Sequence, residues 1–187
     1  MPYISRYSSP MGDMLLAADG LGLTGAWFEG QKYFARGLEG PRAERETPPL
    51  RAARRWLEVY FSGREPDFSV PLHLVGTEFQ KEVWQILLSI PYGRTMTYGE
   101  IAGLLAPKRG KAHLSAQAVG GAVGRNKLSI FVPCHRVIGA GGTLTGYAGG
   151  IDKKAGLLAL EGAVWSASAP EGRAAPANRP GRPRALR

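Results

Sequence analysis

The chain has 187 residues, of which 44% are hydrophobic and 21% charged, a composition typical of a globular protein with one or two small cores. Lysine and arginine total 24 against 15 acidic residues, which gives a formal net charge of +9. This surplus favours polyanionic partners such as nucleic acid, although many soluble proteins are basic without a specific partner. The single cysteine excludes an internal disulfide, and we expect a cytoplasmic protein with neither a secretion signal nor a membrane span.

Three short β-favouring runs open the chain, over residues 3–7, 14–18 and 21–28. Pairs containing glycine separate them, a pattern that predicts a small antiparallel meander. The polar stretch 31–49 has no clear period and predicts a loop with little regular structure.

A helix is predicted to begin at Pro48, since Thr47 can cap it and proline at the first helical position loses no hydrogen bond. Its apolar face is Leu50, Ala53, Leu57 and Phe61. The following segment, 64–75, contains two prolines and predicts a linker. We therefore expect an amino-terminal α/β domain over 1–75 and a second domain over 76–162.

Two capping boxes predict helix starts in the second half of the chain. Thr77 with Gln80, and Thr97 with Glu100, have the spacing at which two side chains satisfy each other's backbone amides. The first helix carries an apolar stripe, and the second is short and predicted to end at Leu105. The stripe is Phe79, Val83, Leu87 and Ile90.

A third helix is expected after Ser115, which can act as its N-cap. Two short helices joined by a turn are typical of a helix-turn-helix, whose second helix enters a groove of DNA. Gly120 and Gly121 in this helix each cost about 1 kcal/mol relative to alanine. Such small residues fit where another backbone comes close, either a DNA strand or a neighbouring helix.

Cys134 is the candidate nucleophile. A lone cysteine among apolar residues is usually an inert core residue, but His135 and Arg136 follow it directly, and a cationic neighbourhood lowers a thiol pKa. Because neighbours in an extended strand point to opposite faces, contact between Cys134 and His135 requires a turn or a bridging water. Glu161 can orient the imidazole, which would complete a series of nucleophile, base and orienting residue.

Residues 133–137, Pro-Cys-His-Arg-Val, resemble the active-site signature of the O6-alkylguanine-DNA alkyltransferases. Residues 118–122 resemble the recognition-helix motif of this family, and Asn126 stands where the family has its asparagine. Residues 146–150 resemble the substrate-pocket loop, and 160–162 the closing motif. The resemblance is dense from about residue 76 to 162 and weaker before it.

The resemblance implies a single-turnover DNA repair protein, in which Cys134 accepts an alkyl group from O6-alkylguanine in double-stranded DNA. O4-alkylthymine is a second candidate substrate. His135 would act as the base through water, with Glu161 orienting it. Asn126 would hold the turn that carries the cysteine, and Tyr98 would help to flip the nucleotide and donate to guanine N3.

The resemblance also implies how guanine is held. The carbonyls of Cys134 and Val137 would accept from its amino group, Tyr147 would pack on the base, and the amide of Ala148 would donate to O6. No metal or cofactor is implied. The implied fold is α+β, with a ribonuclease H-like amino-terminal domain and a mainly helical carboxy-terminal domain, in a monomer.

The expected DNA contacts include a turn over 106–113 that is longer than in the family. Many members also have an arginine in the recognition helix where this chain has Gln117, which predicts weaker base flipping or a narrower substrate range. The turn residues contact phosphate or belong to an ordinary solvated loop. The expected DNA-binding residues are Thr97, Ser115, Ala116, Gln117, Gly120, Arg136, Lys108, Arg109 and Lys111.

Residues 163–187 are rich in Ala, Pro, Gly and Arg and predict a disordered basic tail. Three other functions remain open from the sequence. They are a non-catalytic lesion binder, which would lack the acceptor cysteine, a cysteine hydrolase with a Cys-His pair, and a helix-turn-helix regulator without chemistry.

Overall fold

The computed structural model describes residues 2–166, and its amino-terminal half is built on a four-stranded sheet. The strands are β1 (Tyr3–Ser9), β2 (Gly12–Ala18), β3 (Leu23–Phe28) and β4 (Ala43–Glu44). They lie in the order β3-β2-β1-β4. The first three form the predicted antiparallel meander, with Tyr3 opposite Ala18 and Met14 opposite Phe28.

Strand β4 lies inside the stretch that we predicted to be a loop, so that prediction was wrong at Ala43 and Glu44. This short strand pairs in parallel with the start of β1, opposite Tyr3 and Ile4. Two residues carry too little pattern to predict a strand, and the pairing depends on the edge that β1 offers.

Helix α1 (Pro48–Phe61) packs against this sheet. It begins where predicted, but the Thr47 side chain makes no capping hydrogen bond, and its buried Oγ1 has no partner among residues 2–166. Leu50, Ala53 and Leu57 are buried as predicted, whereas Phe61 is only half-buried. Tyr60 is buried instead, because the buried face of the helix is centred near Ala53, and Tyr60 lies closer to that centre than Phe61 does.

The second half is mainly helical. Its helices are α2 (Glu78–Leu88), α3 (Tyr98–Lys108), α4 (Ala116–Val123) and α5 (Ile151–Leu160). Both predicted capping boxes are present, and Ser115 Oγ accepts from the Ala118 amide at 3.1 Å. Two short strands, β5 (Met96–Thr97) and β6 (Val137–Ile138), pair in parallel and join the start of α3 to the segment after Cys134.

Two helices differ from expectation. Helix α3 runs to Lys108 rather than ending at Leu105, with Pro107 inside its last turn. Pro107 has no amide to donate to the carbonyl four residues earlier, so the last turn of α3 forms with one helical hydrogen bond fewer. Helix α5 was not predicted.

The core is shared between the two halves of the chain. Trp84 on α2 donates to the Ala122 carbonyl at 3.0 Å, which fixes α4 against α2. The Ala26 amide of β3 donates to the Lys127 carbonyl at 2.8 Å, so the sheet holds the segment that leads to Cys134. Within residues 2–166, no helix is long and apolar enough to span a membrane.

Candidate active site

Cys134 begins a 3₁₀ turn, Cys134–Arg136, which supplies the turn that a Cys134–His135 arrangement requires. Its side chain is buried, and Asn126 Nδ2 donates to Sγ at 3.1 Å. The same nitrogen donates to the Val132 carbonyl at 2.8 Å, and Asn126 Oδ1 accepts from the Leu128 amide at 2.9 Å. Asn126 therefore lies at the centre of the loop that presents the sulfur.

The loop also contains backbone strain. Ile130 has a φ of 73°, which is costly for a β-branched residue. It is buried, and the neighbouring Ser129 amide is held by the Ala26 carbonyl at 2.9 Å. The contact with β3 helps to keep this conformation four residues before the nucleophile.

His135 and Glu161 form a fully buried pair, with His135 Nε2 at 2.6 Å from Glu161 Oε1. A carboxylate only accepts, so the proton lies on Nε2 and Nδ1 carries a lone pair. Nδ1 has no hydrogen-bond partner within the described part of the chain. It is therefore the ring atom that can accept a proton.

The Glu161 carboxylate is crowded by donors. Arg136 donates from Nε to Oε2 at 2.8 Å and from Nη2 to Oε1 at 3.0 Å. The Tyr60 hydroxyl donates to Oε1 at 2.8 Å, and the Gly93 amide to Oε2 at 3.1 Å. The site thus unites α1, the segment before α3, the cysteine turn and the end of α5.

Burial and charge set the resting protonation of these groups. Burial raises the pKa of the Cys134 thiol, against the Asn126 hydrogen bond and the Lys154 charge, which lower it. Burial lowers the pKa of His135, against Glu161. Burial also disfavours the Glu161 carboxylate, but His135 and Arg136 outweigh it and hold that pKa at about 2. At neutral pH the site holds a thiol, a neutral imidazole and a carboxylate.

The predicted lowering of the Cys134 pKa by neighbouring cations was therefore wrong in its direction. Arg136 was also expected at the DNA surface, but it is buried against Glu161 and donates to the Ile90 carbonyl at 2.7 Å. The Glu161 carboxylate neutralises the charge of Arg136, so this charge neither stabilises the Cys134 thiolate nor attracts DNA at the surface.

Lys154 was not among the site residues that we predicted from the sequence. It is fully buried on α5, and Nζ donates to the carbonyls of Val137 at 2.5 Å and Thr145 at 2.7 Å. Burial lowers its pKa to about 8, partly opposed by the charge of Cys134. The available signal was its spacing from Leu157 and Leu158, which places a lysine on the buried face of a helix.

A cavity of about 540 Å³ has Tyr98 and Tyr147 in its wall, and its size is within the range of small-ligand sites. Burial raises the pKa of the Tyr98 and Tyr147 hydroxyls, and charge on Cys134 raises the pKa of both further. The Lys32 amide donates to the Ala148 carbonyl at 3.0 Å and joins the 31–38 loop to the rim. The lining residues are Lys32, Tyr33, Tyr98, Gly120, Gly121, Gly124, Arg125, Thr145, Gly146, Tyr147 and Ala148.

Helix α4 exposes Ala116, Gln117 and Gly121 to solvent beside this cavity. A Cβ at Gly120 would lie 3.7 Å from the Tyr98 ring, and one at Gly121 would lie 3.9 Å from Arg125. Both are ordinary contacts, so packing against a neighbouring helix does not require either glycine. Within residues 2–166, the exposure of Ala116, Gln117 and Gly121 leaves this face of the helix open to a partner.

The predicted turn residues divide into two kinds. Arg109 Nη1 forms an ion pair with Glu82 Oε2 at 2.7 Å, and its guanidinium stacks on the Phe79 ring. Lys108 and Lys111 are exposed near the end of α3. Thr97 and Ser115 lie at the helix starts, where their hydroxyls accept the capping hydrogen bonds. Among residues 2–166, no group of three or more acidic, cysteine or histidine side chains could hold a metal ion.

Two family models match nearly all of the described chain. The ribonuclease-like domain of 6-O-methylguanine DNA methyltransferase matches residues 3–74, and the DNA binding domain of the same family matches residues 78–163. The chain belongs to the 6-O-methylguanine DNA methyltransferase family. The resemblance expected from residues 133–137 is thereby confirmed.

Family relatives match along most of their length. The methylated-DNA–protein-cysteine methyltransferase of Methanosarcina acetivorans is 48% identical over 86% of this chain and 98% of its own. The protein of that name from Mycobacterium leprae is 45% identical over 86% of this chain and 93% of its own.

Solved structures agree with the fold. The crystal structure of Mycobacterium tuberculosis O6-methylguanine methyltransferase has a TM-score of 0.73 at 41% identity and covers 92% of this chain and 97% of that one. A structure of the Mycobacterium tuberculosis protein in complex with DNA has the same TM-score and covers 86% of this chain and 92% of that one. The mixed α/β fold, with strands in the first half and helices in the second, is that of this family.

Proposed function

We propose that the protein repairs DNA by moving an alkyl group from O6 of guanine to Sγ of Cys134, once per molecule. The observation that carries this proposal is a buried cysteine held by Asn126 and followed directly by His135, which is paired with Glu161. A cavity of about 540 Å³, lined by Tyr98, Tyr147 and Ala148, offers space for a base. Relatives that bear the name methylated-DNA–protein-cysteine methyltransferase match the chain at 40–48% identity.

The reaction begins with the thiol proton, because the thiolate is the nucleophile. His135 Nδ1 accepts this proton through a water, and Glu161 stabilises the imidazolium that forms. Sγ then attacks the alkyl carbon, so that the S–C bond forms as the C–O6 bond breaks. The bonding pair leaves with guanine, which is finally protonated. The thioether is stable, so the protein is consumed.

Guanine departs with negative charge, and donors placed where that charge develops lower the barrier. The Ala148 amide donates to O6, and Tyr98 donates to N3. The carbonyls of Cys134 and Val137 accept from the guanine amino group, while Tyr147 packs on the base. Lys154 already binds the Val137 carbonyl, and the second lone pair of that oxygen remains for guanine.

An alkyl group at O6 lies inside the duplex, so the nucleotide must be flipped out at a cost of a few kcal/mol. The helix-turn-helix is formed by α3 and α4, and α4 enters a groove of DNA. Thr97, Ser115, Ala116, Gln117 and Gly120 lie on or beside the DNA-facing surface.

The domain organisation that accompanies this function is a ribonuclease H-like unit over 1–75 and a catalytic DNA-binding unit over 76–162. The predicted basic tail, 163–187, lies outside the described residues from position 167 onward. In this proposal the protein is a cytoplasmic monomer that acts on double-stranded DNA. O4-alkylthymine is the further substrate that the same chemistry can accept.

The test is single-turnover transfer from duplex DNA that contains one O6-methylguanine. Intact-mass spectrometry should show a gain of about 14 Da on the peptide that carries Cys134, as expected for a methyl thioether. Cys134→Ala should show no gain. Tight binding without any gain in the wild-type protein would identify a non-catalytic lesion binder. More than one product equivalent per protein would identify a hydrolase.

A further inference from the structure

Tyr60 is a buried residue that has no role in the alkyl-transfer reaction proposed above. It lies on α1, in the amino-terminal half, far along the chain from Cys134, His135 and Glu161. Its ring stacks on Trp56, with centroids 5.3 Å apart and planes 10° from parallel, and meets Tyr92 edge-on. This packing directs the Tyr60 hydroxyl to the His135–Glu161 pair.

The hydroxyl has one acceptor that fits its proton. It lies 2.8 Å from Glu161 Oε1 and 3.4 Å from His135 Nε2. Nε2 carries a proton toward Glu161, so it cannot accept, and the hydroxyl proton goes to the carboxylate. Glu161 Oε1 therefore accepts from Tyr60 as well as from His135 and Arg136.

We propose that Tyr60 is a positioning residue of alkyl transfer, which acts through Glu161 to set the orientation and the basicity of His135. The inference rests on the proposed function. It also means that α1 contributes a side chain to the network around the base.

The physical reason lies in the shared oxygen. A hydrogen bond to a carboxylate disperses its charge, so Tyr60 limits how strongly Glu161 stabilises a protonated His135. The same bond restrains the carboxylate against rotation, which holds the imidazole with Nδ1 free to accept a proton. Burial and the Glu161 charge raise the pKa of Tyr60, so the hydroxyl stays protonated and remains a donor.

Other charges face the pair from several elements, and all remain in a Tyr60→Phe protein. Burial lowers the pKa of Lys154 only to about 8, so a profile over about pH 5–7 reports mainly on His135. The titratable and charged groups that face His135 and Glu161 are Cys134, Arg136, Lys154, Tyr92 and Tyr147.

Tyr60→Phe tests the inference, because it keeps the ring and its stacking while removing the donor. Tyr92→Phe is the matched control, since within residues 2–166 the Tyr92 hydroxyl donates to the Leu160 carbonyl, at 3.4 Å, and has no hydrogen bond to Glu161 or His135. The readouts are the pH profile of single-turnover methyl transfer from duplex DNA and the pKa of His135, followed by NMR of the three histidine rings.

In Tyr60→Phe we expect the acid limb of the rate profile and the pKa of His135 both to move to higher pH. Transfer at neutral pH should slow about ten-fold, because a carboxylate that has lost this hydrogen bond holds the imidazole less firmly in place. Tyr92→Phe should match the wild-type protein. In a Glu161→Gln background, Tyr60→Phe should add little further loss, because its effect passes through the carboxylate.

An unchanged profile and an unchanged His135 pKa in Tyr60→Phe would overturn the inference, as would equal shifts in both phenylalanine variants. Failure of the wild-type protein to accept a methyl group would overturn the proposed function instead. The His135 pKa, which is measured without DNA, would still decide the role of Tyr60 in that case.

Discussion

The side-chain amide of Asn126 lies 3.1 Å from the sulfur of Cys134 and donates to it. This contact lowers the pKa of a thiol whose burial raises it. Asn126→Asp keeps the size and the acceptor atom but replaces the donor by a carboxylate. We expect the thiol pKa to rise and thiol modification by a small disulfide reagent to slow at neutral pH. If thiol reactivity depends on pH in the same way in Asn126→Asp and in the wild-type protein, Asn126 has a purely structural role.

Asn126→Ala should also destabilise the fold. It would leave the Leu128 amide without its partner, at a cost of about 1–3 kcal/mol, whereas the Val132 carbonyl still accepts from the Cys134 amide at 2.7 Å. Urea unfolding measures the loss. Lys127→Ala, at the next position, is the control, and an equal loss there would contradict the assignment.

Lys154 is expected to assist thiolate formation. Lys154→Met removes the ammonium group whose charge lowers the Cys134 pKa, so the thiol should titrate at higher pH. Transfer should slow for the same reason. Lys153→Met removes a neighbouring charge that lies over the Phe28 ring and should leave thiol titration unchanged. Equal behaviour of the two variants would remove Lys154 from the chemistry.

Glu161 should make the fold sensitive to acid. Its folded pKa of about 2 lies below the ordinary value of 4.5, so the unfolded chain binds the proton first. The stabilisation is complete above about pH 4.5 and is lost as the pH falls toward 2, up to about 3 kcal/mol. His135, whose pKa is lowered, adds a loss that begins below its ordinary value of 6.5.

The variant that tests this effect is Glu161→Gln, and its control is Glu78→Gln. In the wild-type protein the Glu78 carboxylate forms an exposed ion pair with Lys81. The free energy of unfolding, measured by denaturant from pH 6 downward, should depend less steeply on pH in Glu161→Gln than in the wild-type protein. Glu78→Gln should retain the wild-type slope. Parallel slopes in all three proteins would refute the assignment.

The basic turn after α3 should contribute unequally to DNA binding. Lys108→Gln with Lys111→Gln should flatten the slope of log affinity against log salt by about two, if both contact phosphate. Arg109→Gln should change the slope less, because this side chain is already paired with Glu82. A larger effect from Arg109 than from the lysines would show that the ion pair opens on DNA.

Gln117 is exposed on α4, at the position where the family resemblance leads us to expect arginine. Gln117→Arg should speed transfer from duplex DNA, because a longer cationic side chain better fills the space of the flipped nucleotide. The reaction with a free O6-alkylguanine base should be unchanged, since no flipping is needed. Gln85→Arg on the exposed face of α2 adds the same charge elsewhere. An equal gain in both variants would mean that only charge matters.

The elements that sequence reasoning located are those whose signals are local. Each capping signal, at Thr77, Thr97 and Ser115, involves side chains and amides only three residues apart. Such a short pattern is enough to locate a helix start. The β-favouring runs over residues 3–28 form the meander for the same reason. Strand β4 was missed because it exists only through the edge of β1.

The sequence by itself determined the family, the candidate nucleophile and the neighbours expected to serve it, since these residues occur in dense short motifs. Only the tertiary structure decided their electrostatics. It buried Arg136 against Glu161, brought Tyr60 to the same carboxylate from the other half of the chain, and placed Lys154 beneath the pocket loop. Burial of Cys134 then raised its pKa where adjacent cations alone would have lowered it. Desolvation depends on everything packed around an atom, and no short stretch of sequence contains that information.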